Sequence, residues 1–186
     1  MQSLSDLTIE IQAEFADFKI SPKSGSRWMK FVGSLLTVLS LGKSKDFMQH
    51  YITTIGHTVF TSERWDDMTD ESKIIVLRHE RVHMRQQRKY GRFLFSFLYL
   101  VPVFPVFLAY WRAKFEKEAY MESIRAELEI RGTGRVWSPE YQNWLASQFT
   151  GPAYLYMWPF KNAIHGWVRD TIEAEVDKFV GLKPKK

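Results

Sequence analysis

The stretch of this chain whose residue types and spacing carry a definite chemistry is His79-Glu80-Arg81-Val82-His83. On an α-helix, positions i and i+4 share a face about one turn apart. His79 and His83 can therefore direct two imidazoles at one metal ion. Glu80 lies one position round, where its carboxylate can reach a water that the ion activates. Zinc lowers the pKa of such a water to roughly 7, and the glutamate can take its proton and relay it to a leaving amine. The chemistry expected is hydrolysis of a peptide bond. A pattern this short also arises by chance on charged helices, so its weight depends on its surroundings.

A catalytic zinc site takes three protein ligands and keeps one position open. The chain has no cysteine, so any third ligand must be His, Asp or Glu. Phe115-Glu116-Lys117-Glu118-Ala119-Tyr120 offers two candidates, Glu116 and Glu118, on a predicted helix. Glu122, Glu127 and Glu129 on the same stretch show that it carries more acids than a metal site needs, and a solvated helix face is the competing reading of both candidates.

The elements that must position these residues can be read from pattern. Thr69 is a plausible N-cap, with Asp70 and Glu71 favouring the positive helix end, for a helix from Asp70 to Tyr90 that Gly91 stops. Upstream, Tyr51 to Thr61 is β-branched and aromatic, the one clear strand signal, with Gly56-His57 as a tight turn or bulge. Residues 4–20 read as an amphipathic helix, Ser21 to Ser26 as a loop, and Trp28 to Leu41 as a buried or interfacial helix. Further helices are expected from Arg112 to Ile130, from Ser138-Pro139 with serine as N-cap, and from Asn162 to Val180. The class expected is a mainly helical α+β fold in a single domain over 1–186. Within it, 1–45 is an N-terminal helical segment, 50–130 the metal-binding core and 138–186 a C-terminal helical segment.

Taken together, Thr53-Thr54-Ile55-Gly56 before a strand, His79 to Gln87, and Glu116-Lys117-Glu118-Ala119-Tyr120 resemble small HExxH metallopeptidases of bacterial and phage type. The resemblance covers something over a third of the chain, and its Glu-x-x-Ala element is similar to that of gluzincin-type zinc peptidases. It implies a zincin-like fold with His79, His83 and Glu116 as the zinc ligands and Glu80 as general base and then acid. Ala119 would pack against the motif helix. Tyr120 stands where those enzymes have aspartate, and Glu118 is the fallback ligand. Arg81 and Arg85 depart from the apolar residues common around the motif, and either face solvent or shape a cleft.

Composition bounds the partners. Net charge is +5, scattered apart from the tail Lys183, Lys185 and Lys186, and no basic stripe is interleaved with aromatics, so nucleic acid is not expected. The N-terminus carries Asp6, Glu10, Glu14 and Asp17 and has no secretory signal pattern, which leaves cytoplasmic, virion-associated and peripheral membrane locations open. Phe93 to Trp111 is uncharged and flanked by Arg92 and Arg112. A single crossing there would put the roughly 30 Å hydrocarbon layer between His83 and Glu116, which cannot then share an ion at about 2 Å. Pro102 and Pro105 favour a bent hairpin in the core, with contact at a membrane surface as the alternative. His57 and His165 are further candidates for an electrophilic role, and Tyr154, Tyr156 and Trp158 for a pocket lining. A peptide or protein is the expected substrate. The competing reading is a non-catalytic phage-particle or membrane-surface interaction protein that retains the scaffold.

Overall fold

The computed structural model describes residues 2–23, 52–100, 109–151, 157–158 and 160–181. The expected helix from Trp28 to Leu41, Tyr51, the bend at Pro102 and Pro105, Tyr154, Tyr156 and the lysine tail lie outside them. The chain is mainly helical with one small three-stranded sheet, an α+β architecture. It divides into two compact units, residues 2–92 and 93–186.

In the first unit, α1 (Leu4–Glu14) opens on a capping box: the Ser3 hydroxyl accepts from the Asp6 N–H while the Asp6 carboxylate accepts from Ser3. It ends at Glu14 rather than running to residue 20. Phe15 leaves the helix in an extended conformation, and the Phe18 N–H turns back to the Phe15 carbonyl. The apolar spacing of Phe15 and Phe18 stays in helical phase because both side chains are buried, although the backbone has departed. Lys19 to Pro22, partly read as loop, is strand β1. β2 (Thr53–Ile55) and β3 (Thr58–Thr61) form an antiparallel hairpin, and β1 pairs parallel to β3, giving the order β1-β3-β2. Gly56, at φ 60°, makes the hairpin turn, a conformation that costs an L side chain strain. Pro22 is tolerated because β1 is an edge.

α2 (Asp70–Tyr90) carries the histidine motif and has the ends expected of it. The Thr69 hydroxyl accepts from the Ser72 N–H at 3.3 Å, and Gly91 takes φ 79° at the C-terminus. Both α1 and β2 pack on α2. Leu7, Ile11, Phe15, Val59, Leu77 and Met84 are the most deeply withdrawn apolar side chains among that unit's described residues.

The second unit contains α3 (Arg92–Leu100, from Phe93 onward), α4 (Tyr110–Arg131), a one-turn α5 (Thr133–Val136), α6 (Pro139–Thr150) and α7 (Lys161–Phe179). The Ser138 cap and Pro139 at the first turn of α6 stand as expected, with the Ser138 hydroxyl accepting from the Tyr141 N–H. α5 was not anticipated. α4 and α6 both pack on α7, around a core that includes Tyr120, Ile124, Leu145, Phe149, Ile164 and Ile172. A bidentate Arg125–Glu175 pair at 2.7 and 3.1 Å ties α4 to α7. No helix among the described residues is long and apolar enough to cross a membrane.

Candidate metal centre

α2 places His79, Glu80 and His83 on a buried stretch, all three at 6–7% exposure. The two imidazoles meet edge to face, with their Nε2 atoms 3.2 Å apart. Two nitrogens each about 2.0–2.1 Å from a tetrahedral ion lie about 3.3 Å from one another. The pair therefore has the separation a shared ion requires. On its other side His83 is oriented by Gln86: Nδ1–H donates to the Gln86 Oε1 at 2.9 Å, which leaves the lone pair on Nε2. Fixing the tautomer through the distal nitrogen is how proteins prepare a ligating histidine.

Glu80 is held by a residue that the motif does not contain. The Thr54 hydroxyl of β2 donates to Glu80 Oε2 at 2.6 Å. The hairpin is itself pinned to α2 by Gln87, whose Oε1 accepts from the Gly56 N–H at 2.8 Å and whose amide donates to the Thr54 carbonyl at 3.4 Å. Lys23, immediately after β1, is buried to 1% exposure. Burial pushes its ammonium down to about 7, with the nearby Glu80 carboxylate pulling the other way.

Arg85 is exposed, on the solvent face the sequence allowed, and Arg81 is half-buried; both are engaged by α1. Arg81 Nε donates to Glu14 Oε2 at 2.7 Å and Nη1 to Glu10 at 3.2 Å, while Arg85 grips both Glu14 oxygens at 2.7 Å and Arg88 adds a contact at 3.1 Å. They fasten α1 to the outer side of the motif helix. The Arg85 hydrogen bond, joined by Arg81, holds the Glu14 carboxyl at about 2, well below the usual carboxylate range, against the opposing effect of burial.

In the second unit, Glu116 on α4 is 1% exposed, whereas Glu118 stands on the exposed side of the helix. Burial thus separates the two candidates in favour of Glu116. The Tyr99 hydroxyl of α3 donates to Glu116 Oε1. Tyr99 is placed by Arg112, whose Nε donates to its carbonyl at 2.8 Å and whose guanidinium lies 5.0 Å over its ring. Ala119 is fully buried, and Tyr120 packs on Phe149 and Trp144, so it belongs to the apolar core of its unit.

The remaining histidine candidates have other surroundings. His57 sits in the hairpin turn, 2.5 Å from Asp17 and packed on Phe15. His165 is exposed on α7. Trp158 packs against the second unit's core rather than standing clear of it. Thr54 and Gln86 fall inside the segments that carry the resemblance but had no role assigned to them, while Lys23 and Tyr99 were missed, because nothing local distinguishes them from other polar or aromatic residues. No family model matches the chain, and no curated protein or solved structure is significantly similar to it.

Proposed function

We propose that this chain is a zinc-dependent peptidase of zincin type, with His79, His83 and Glu116 as the metal ligands and Glu80 as general base and then acid. The observation that carries the reading is the 3.2 Å approach of the Nε2 atoms of two buried histidines, with His83 Nδ1 held by Gln86. The donor types support it: two histidine nitrogens and one glutamate oxygen are the kind of set a catalytic zinc takes. Bound there, zinc would supply Lewis acidity toward a carbonyl and a water. The chain's own groups account for the rest. Glu80 accepts a proton from water and returns it to the departing amine, and Thr54 fixes one of its two oxygens while the other handles the proton. Gln86 keeps the His83 ring from rotating. The substrate is a peptide or protein. Glu80→Gln should lower peptide hydrolysis by about a thousandfold or more while the metal content stays unchanged. Activity that survives this substitution would overturn the mechanism.

A second reading concerns α3. Phe93, Leu94 and Phe97 are 93%, 51% and 62% exposed, an apolar stripe of the kind that rests in the interface of a membrane surface. Flotation with anionic vesicles should carry the chain, and a Phe93→Ser/Phe97→Ser variant should stay behind. Equal flotation of both would remove this reading.

A further inference from the structure

Glu80 carries a carboxylate that is almost wholly out of water, 6% exposed. Such a group costs several kcal/mol unless it is hydrogen-bonded and faced by opposite charge. Within the first unit both come from the sheet, and they come from its opposite edges. β2 forms one edge and presents the Thr54 hydroxyl to Glu80 Oε2 at 2.6 Å. β1 forms the other, and Lys23, the residue that follows it, is buried to 1%, within range of the Glu80 charge. β3 separates the two strands, so two independent pairings, one parallel and one antiparallel, deliver the two residues. A lysine and a glutamate both this deeply buried in one small unit are uncommon in a fold that has an apolar core elsewhere.

Resting on the peptidase reading, we propose that Thr54 and Lys23 are positioning residues that seat the Glu80 carboxylate. Thr54 fixes one oxygen and with it the rotamer of a side chain that otherwise has three free torsions. That aims the second oxygen. While protonated, Lys23 supplies opposite charge that offsets desolvation of the carboxylate, so Glu80 can remain buried on the helix face it shares with the motif. Neither residue touches the reacting atoms. Both act through Glu80.

The test is a double-substitution cycle on folding, with a kinetic arm. Urea unfolding at pH 6, where Lys23 keeps its charge, is measured for the full chain, Thr54→Val, Lys23→Met, Glu80→Met and the paired variants. Thr54→Val and Lys23→Met should each lower the folding equilibrium constant about tenfold more with Glu80 present than in the Glu80→Met background. Identical effects in the two backgrounds overturn the proposal. Should Lys23→Met fail to fold, Thr54→Val and Thr54→Ser decide, because serine keeps the hydroxyl and should keep the coupling. In the kinetic arm, zinc-supplemented protein is assayed on a mixture of fluorogenic peptides. Thr54→Val should lower kcat about tenfold at unchanged KM, and Thr54→Ser should restore it. A kcat untouched by Thr54→Val overturns the positioning role. A chain that cleaves no peptide sinks the peptidase reading instead, and the stability cycle then still decides whether these residues seat Glu80.

Discussion

In residues 2–92 the groups withdrawn from solvent include Lys23, His79, Glu80, His83, Gln86 and Gln87, whereas residues 93–186 close around Ile124, Leu145, Phe149, Ile164, Val168 and Ile172. The first unit sets its polar interior in hydrogen bonds such as Thr54 to Glu80 and His83 to Gln86. The second closes mainly around apolar side chains, and its buried acids Glu127 and Glu175 are paired with Arg131 and Arg125, whose side chains reach the surface. Desolvating polar groups contributes little net stability even when every partner is present. Apolar burial contributes about 25 cal/mol per Å². The difference teaches where stability and chemistry reside: the second unit is built to persist, and the first to hold side chains in fixed orientations.

The largest effect that would break this comparison lies in the apolar core. Phe149→Ala should lower unfolding stability by about 3–5 kcal/mol in urea titrations, and a loss below about 1 kcal/mol would show that the α4–α6–α7 packing is not the stabilising element. Next is the clasp between α1 and α2. Glu14→Gln should cost about 2 kcal/mol at neutral pH. The folded carboxyl titrates at about 2 against an ordinary value of 4.5, so its contribution is fully present above about 4.5 and disappears as pH falls toward 2. The wild-type and variant stabilities should therefore converge by about pH 2.

Lys23 gives the opposite pH signature. Its ammonium titrates at about 7 in the folded chain and at 10.5 when unfolded, so between those values the unfolded chain holds a proton that the native one has shed. Stability should rise with pH across that window, by at most about 1.4 kcal/mol per pH unit. Lys23→Met should flatten that slope between pH 7 and 9 in urea unfolding, and an unchanged slope would place the titrating group elsewhere. The smallest expected effect is at the start of the motif helix. Thr69→Ala removes the hydroxyl that accepts from Ser72 and should cost about 1 kcal/mol.

What was legible in the sequence was local. α2 announces itself through Thr69, the acids of its first turn and Gly91, all of which act within one turn of the helix end. The hairpin turn at Gly56-His57 and the Ser138-Pro139 start are of the same kind. β1 was not legible, because Lys-Ile-Ser-Pro has no strand pattern of its own and is extended only by pairing with β3. The site divides along the same line. His79, Glu80 and His83 are set by helical period, and Glu116 came from the Glu-x-x-Ala resemblance, its burial then separating it from Glu118. Thr54 and Lys23 depend on contacts across 26 residues or more of chain, and the roles of Arg81 and Arg85 on contacts with a helix some 70 residues upstream.

The central claim is a metal ion held by the two histidines. Elemental analysis of the chain purified without added metal tests it most directly, alongside His79→Ala prepared the same way. The account predicts about one zinc per wild-type chain and less than about a tenth of that in the variant. Wild-type protein with no transition metal, or a variant that retains its full complement, would contradict it.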